Sequence, residues 1–230
     1  MNRPDVASVT IAVDDDHSVR GLLSAPPSAR ACYVLAHGAG AGMFHPFMDG
    51  VATGLAERGI ATLRYQFPYM EQGAKRPDPP KLAHATVRAA VAETARLAPE
   101  LPLVAGGKSF GSRMTSQAQA ASPLPGVRGL AFLGFPLHPA GRPSDARAEH
   151  LLAVEMPMLF LQGSRDKLAD LGLRQPLMAR LGERASLRLV QDADHSFRVP
   201  ARAGGNDADV KRDMMDALAA WILSVIPRRG

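Results

Sequence analysis

The chain has 230 residues, a formal net charge of +5, 46% hydrophobic and 21% charged residues, a balance that excludes a disordered or fibrous protein. No apolar run reaches the roughly 18 residues of a membrane helix, and Cys32, the only cysteine, excludes an intrachain disulfide and a cysteine-based metal cluster. The basic surplus is a scatter of arginines, with only five lysines among 27 basic residues and few aromatics beside them, so it lacks the stripe a nucleic acid needs. Residues 1–5 carry no basic-then-apolar leader, which makes the cytoplasm the expected location.

In chain order, residues 6–13 and 18–23 flank Asp14-Asp15-Asp16-His17 and predict an antiparallel hairpin. Residues 32–36 predict a buried strand running into His37-Gly38-Ala39-Gly40-Ala41-Gly42. Phe44, Phe47, Val51 and Leu55 then mark one face of a helix. A strand over 60–65 leads to a proline-rich loop holding Pro68, Pro77, Pro79 and Pro80. Residues 81–98 predict an alanine-rich helix and 101–105 a strand. Gly106-Gly107-Lys108-Ser109-Phe110-Gly111 turns straight into a helix marked by Phe110, Met114, Ala118 and Ala121. Strands are predicted over 129–135, 157–161 and 187–190, and the closing helix carries Val210, Met214, Leu218, Trp221, Ile222 and Val225 on one stripe. A hairpin followed by repeated strand–helix units predicts an α/β fold: a mostly parallel sheet with helices on both faces. The expected organisation is one domain over 1–230, with a short cap segment at about 136–156.

Chemistry in such a sheet sits beyond the carboxyl ends of the strands. A dinucleotide loop at Gly38–Gly42 would need glycine where Met43 stands. It would also need an acid near Arg64-Tyr65-Gln66, although an arginine there suits a 2′-phosphate. Gly107-Lys108-Ser109 resembles the tail of a phosphate loop, but Pro102 replaces the first glycine and a strand fills the interval. Gly107-Lys108-Ser109-Phe110-Gly111 also reads as G-x-S-x-G, a serine on a strained strand-to-helix turn whose small neighbours let strand and helix pass closely. The bland alternative is a glycine-rich turn with a capping serine.

A serine hydroxyl is a weak nucleophile without a base and an acid to orient that base. Asp166 follows the strand at 157–161 and His195 follows the strand at 187–190, which fills the order Ser109, Asp166, His195. Asp170, Asp192 and Asp194 are rival acids. An oxyanion hole would use the backbone N–H groups of Phe110 and Ala39, with Gly40 as the alternative to Ala39. Candidate pocket residues are His37, Gly38, Gly40, Phe67, Met70, Leu137 and His138, with Tyr69 and Phe135 nearby, and His37 shapes its turn through hydrogen bonds. Lys108 and Arg165 flank the candidates as solvated cations or as a preference for anionic substrates.

With these residues in view the chain resembles the alpha/beta-hydrolase superfamily. More narrowly, it resembles the small dienelactone-hydrolase-like group that includes a testis-expressed hydrolase-like protein and a subunit of the NSL chromatin complex. The carrying segments are the turn from His37 to Gly42, Arg64-Tyr65-Gln66-Phe67-Pro68-Tyr69-Met70, the serine turn extended to Ser112-Arg113, Gly134-Phe135-Pro136-Leu137-His138-Pro139, Gln162-Gly163-Ser164-Arg165-Asp166, and Asp194-His195-Ser196-Phe197. The resemblance implies Ser109 as nucleophile, His195 as base and Asp166 as orienting acid. A dienelactone hydrolase proper would carry cysteine where Ser109 stands. The expected activity is cleavage of a small ester, thioester or related acyl bond, with a small-molecule acyl substrate and no cofactor, metal, nucleic-acid or membrane partner. The alternative is a non-catalytic scaffold that keeps the fold and binds a partner.

Overall fold

The computed structural model describes residues 6–200 and 206–227; the stretch at 1–5 read for a leader and the Arg228-Arg229 pair of the basic count lie outside them. Eight strands form one sheet: β1 (Val6–Ala12), β2 (Ser18–Ser24), β3 (Ala31–Ala36), β4 (Ile60–Tyr65), β5 (Leu103–Lys108), β6 (Val127–Leu133), β7 (Met158–Gly163) and β8 (Ala185–Val190). Their spatial order is β1-β2-β4-β3-β5-β6-β7-β8. β1 pairs β2 and β2 pairs β4 antiparallel, and every later pair is parallel.

β3 and β4 are buried along their whole length, β3 as a continuous apolar run covered on both faces and β4 with Thr62 and Arg64 buried among its apolar residues. Alternation along β3 divides the core. Cys32, Val34 and Ala36 pack with Val87 and Val91 of α3 (Pro80–Leu97) and Met114 of α4 (Phe110–Ala121). Tyr33 and Leu35 pack with Met48, Val51 and Leu55 of α1 (Pro46–Ala56) and Met214, Leu218 and Ile222 of α6 (Asp207–Val225).

Four elements differ from expectation. β5 continues through Gly106 and Gly107, where β6 and β3 approach so closely that a side chain would meet the backbone of Ala131 or Ala36. α1 starts at Pro46, with His45 Nδ1 accepting the Phe47 N–H at 3.1 Å, so Phe44 falls outside it and is 58% exposed. The proline-rich loop contains a single-turn helix, α2 (Pro68–Glu71). α5 (Leu171–Leu181) is absent from the sequence reading; Pro176 inside it and Gly172 and Gly182 near its ends hide its Arg174, Leu177, Leu181 stripe. The expected cap segment holds a 3-10 helix, Ala146–Ala153. No helix among the described residues is long and apolar enough to cross a membrane.

The chain runs from β3 to β4 on one side and returns to β5 on the other. The carboxyl ends of β3 and β5 therefore lie side by side, with Ala36 opposite Gly107. This switch in strand order opens a crevice between the turn after β3 and the turn after β5.

Candidate active site

Ser109 stands alone between the end of β5 and the start of α4, with φ 51° and ψ −107°, a backbone state L-residues rarely adopt. Ser112 Oγ donates to the Gly107 carbonyl at 2.5 Å and Thr115 Oγ1 to the Gly106 carbonyl at 3.2 Å, stapling helix to strand. The Ser109 N–H donates to the Leu133 carbonyl at 3.2 Å, fixing the turn against β6.

Asp166 follows β7 and its side chain is fully buried. Its Oδ2 accepts from His195 Nδ1–H at 2.7 Å and from Gln162 Nε2, and its Oδ1 accepts the Leu168 N–H at 2.8 Å. Burial would raise its pKa, but the His195 imidazole, the Leu168 N–H and the nearby Lys108 ammonium hold it below the usual carboxylate value. Gln162 accepts the Phe135 N–H at 2.9 Å through Oε1, so its amide is oriented from both ends.

His195 lies in the loop after β8 with Nε2 2.8 Å from Ser109 Oγ. Because the ionised Asp166 only accepts, Nδ1 carries the proton and Nε2 turns a free lone pair toward the serine hydroxyl. The rival acids do other work. Asp194 Oδ1 accepts the Ser196 and Arg198 N–H groups at 2.8 and 3.0 Å, and Asp170 Oδ1 accepts the Gly172 N–H at 2.8 Å and so caps α5. Asp192 is exposed with φ 57°.

A cavity of about 530 Å³ opens over this group. Gly38, Ala39, Lys108, Ser109 and His195 line it on the sheet side. Phe47, Met48 and Val51 of α1, Met214 and Met215 of α6, and Phe197 supply apolar wall, with exposed Arg198 and Lys211 beside them. Phe110 is the first residue of α4, so its N–H has no acceptor within the helix. The Gly40 N–H donates to the Tyr69 hydroxyl at 3.0 Å and is thereby taken, whereas Gly38, Ala39 and Ala41 of that turn line the cavity.

Most of the expected pocket residues lie elsewhere. His37 is fully buried beneath the turn. Its Nδ1–H donates to the Gly38 carbonyl at 2.8 Å, its Nε2 accepts the Phe67 N–H at 3.1 Å, and burial lowers its pKa to about 4. Phe67 packs edge-on against His37 and Phe110 in the core, and the Met70 side chain lies under Gly42. The Leu137 N–H donates to the Leu168 carbonyl at 2.8 Å, and His138 is buried between the Pro139 carbonyl and the Asp170 N–H. Tyr69 and Phe135 are likewise buried outside the cavity, and Arg165 is exposed beyond it. The true wall is carried by the α1 stripe and the start of the α6 stripe, which in sequence read as core faces. No local signal distinguishes the turns of those helices that overhang the sheet edge.

A second serine–histidine contact, Ser116 Oγ to His150 Nε2 at 2.7 Å, joins α4 to the 3-10 helix. Ser116 is fully buried, and its Oγ also lies 3.0 Å from the Arg113 carbonyl. Burial, then Arg113 and His84, lower the His150 pKa to about 4, and neither residue lines the cavity. The 3-10 helix therefore packs on α4 rather than covering the cavity. Among the described residues no three His, Cys, Asp or Glu side chains gather as metal ligands do.

The family model described as an alpha/beta hydrolase domain matches residues 29–223. A dienelactone hydrolase from Anabaena variabilis superposes with a TM-score of 0.79 at 20% identity, covering 98% of this chain and 100% of its own. A lidless a/b serine hydrolase from Xanthomonas campestris gives 0.73 at 20% identity, over 98% and 97%. An esterase from Pyrococcus furiosus gives 0.74 at 14% identity, over 97% and 94%. At these identities the superpositions establish a shared fold.

Proposed function

The chain belongs to the alpha/beta hydrolase domain family, and on that premise we propose that it is a serine hydrolase cleaving a small ester, thioester or related acyl bond. The observation that carries the reading is the continuous contact from Ser109 Oγ through His195 to Asp166, at 2.8 and 2.7 Å, at the floor of a cavity. The names of structural neighbours, among them esterases and a serine hydrolase, favour the same chemistry.

Ser109 Oγ attacks the acyl carbon as its proton passes to His195 Nε2, and the buried Asp166 carboxylate stabilises the resulting imidazolium. The N–H groups of Phe110 and Ala39 receive the negative charge on the carbonyl oxygen, aided by the positive end of α4. Collapse breaks the bond to the leaving group, which takes the proton from His195 and departs as an alcohol or thiol. A water molecule then repeats the cycle on the acyl-serine, giving the free acid and restoring Ser109. On this reading the protein acts as one domain on a small-molecule substrate in the cytoplasm.

Labelling with a fluorophosphonate probe followed by peptide mapping tests the proposal. Ser109 is the expected site, with labelling abolished in Ser109→Ala and His195→Ala. A folded protein that stays unlabelled at Ser109 would instead favour the non-catalytic scaffold.

A further inference from the structure

Lys108 occupies the variable position just before Ser109, and its Nζ donates to the backbone carbonyl of His195 at 2.6 Å. The same ammonium stands 5.4 Å from the Phe197 ring centroid and 6.0 Å from that of Phe47. Those two rings are themselves stacked at 5.8 Å and 8°. The loop between is under strain, because Asp192 and Phe197 on either side of His195 have φ of 57° and 60°. Such residues keep their conformation only where neighbours over-determine it.

Most of the loop's hydrogen bonds tie it to itself or to the end of β7. Asp194 accepts from Ser196, Phe197 and Arg198, and Ser164 Oγ accepts the Asp192 N–H at 2.8 Å. Among the described residues, the Lys108 bond is the one that fastens the His195 backbone to the strand carrying Ser109. We propose that Lys108 is a positioning residue, locking the His195 carbonyl against the end of β5 and so holding the imidazole in register with Ser109. The functional consequence rests on the reading of Ser109 and His195 as nucleophile and base; the tether itself does not.

A side chain needed only to fill this space would be apolar, since a desolvated ammonium is unfavourable. Burial lowers the Lys108 pKa to about 8, opposed by the carboxylates of Asp166 and Asp194. Among the described residues, the other charged or titratable groups around the cavity are His195 itself, His45 before α1, Arg198 after the loop, and Asp207 and Lys211 on α6. Above about pH 8 the ammonium becomes an amine, a weaker donor, and the tether slackens.

The test compares wild type, Lys108→Met and Lys108→Arg by ester kinetics and by amide hydrogen exchange of residues 191–198. One charge-assisted hydrogen bond predicts a fall of about 10- to 100-fold in kcat for Lys108→Met, with KM for a small ester within about twofold. Loop amides should exchange at least about tenfold faster while β3 and β5 are unchanged. Lys108→Arg should recover much of both and move the alkaline limb of kcat above that of wild type. Unchanged kcat and exchange in Lys108→Met would overturn the tether, as would a lower kcat with unchanged loop exchange. Should wild type prove inert toward esters and probe, the hydrolase reading fails while the exchange arm still decides the tether. If Lys108→Met does not fold, exchange from pH 7 to 9 carries the test, corrected for intrinsic rates. Loosening in wild type but not in Lys108→Arg supports the tether, and identical profiles overturn it.

Discussion

A Cβ atom on Gly111 would stand 2.6 Å from the carbonyl oxygen of Ala36, so the first turn of α4 crosses the end of β3 at backbone contact. That contact sets Ser109 beside the turn bearing Ala39 and leaves no room for a side chain. Alanine suits a helix better than glycine by about 1 kcal/mol, so any loss in Gly111→Ala comes from crowding. We expect that variant to be destabilised by about 1–3 kcal/mol in urea denaturation and its Ser109 labelling to slow at least tenfold. Gly50→Ala is the control: it lies in α1 with nothing within 4 Å of the added atom, and should be neutral or stabilised by up to about 1 kcal/mol. Equal stability of the two variants would mean that the close crossing is not needed.

The three aspartates near His195 separate by what they touch. Asp166→Asn should lower kcat by roughly three to four orders of magnitude with the fold intact, because the imidazole loses the acceptor that sets its tautomer. Gln162→Leu removes the amide that orients the same carboxylate, and a loss of about 10- to 100-fold is expected from one charge-assisted hydrogen bond. Asp192→Asn should be nearly silent, since asparagine tolerates the same positive φ. Asp194→Asn should fall between, because Asp194 Oδ1 organises the loop through two N–H groups without touching the ring. Steady-state kinetics on one ester rank the four. If Asp194→Asn proves the severe variant, the acid has been misassigned.

The parts of this molecule legible in sequence are those whose chemistry is local. Residues 60–65 coincide with β4 because Ile60, Ala61, Leu63 and Tyr65 make it mostly apolar despite the buried Thr62 and Arg64, and Gly59 marks its start. The G-x-S-x-G turn is legible because a serine at φ 51° between tightly crossing elements demands small neighbours. Asp166 and His195 stand out as titratable residues just past strand ends, and the fold brings them together. The cavity wall is not legible. Phe47 and Val51, like Met214 and Leu218, obey one helical period, and only the tertiary placement of α1 and α6 decides which turns face the cavity rather than the sheet. His37, Phe67 and His138 are misleading for the converse reason: they flank the site in sequence while their side chains turn under it.

His37 also gives the protein an acid sensitivity independent of the relay. Its folded pKa lies near 4, below the ordinary 6.5, so the unfolded chain binds the extra proton between those values. Stability is therefore full above pH 6.5 and is lost as pH falls toward 4, by roughly 3 kcal/mol for this one group. His150, also near 4, and Asp166, lowered from 3.8, act in the same direction. Urea denaturation of wild type at pH 7 and pH 5 should show the decline, and His37→Asn should be less stable at pH 7 but have a shallower slope. An identical pH slope in that variant would show that folding does not lower the His37 pKa.

The last expectation concerns acyl length and follows from what walls the cavity. The segment at 136–156 folds its 3-10 helix onto α4, so nothing from it roofs Ser109. The space is bounded instead by α1 and α6, and its 530 Å³ must hold both the acyl group and the leaving group. Each methylene that finds apolar wall gains about 0.8 kcal/mol, close to fourfold in binding, until the chain meets Met48 and Met214. Further carbons stay in water or press on buried methionines and gain nothing. Acetyl to butyryl esters should therefore be turned over best, with kcat/KM falling beyond about six carbons and no activation at a lipid interface. Met214→Ala shortens one wall residue and should move the optimum to longer chains, at some loss of stability because that side chain is also core. A series of p-nitrophenyl esters from acetate to palmitate, run on both proteins, measures this. A palmitoyl optimum in wild type would sink the short-chain argument and leave the serine relay untouched.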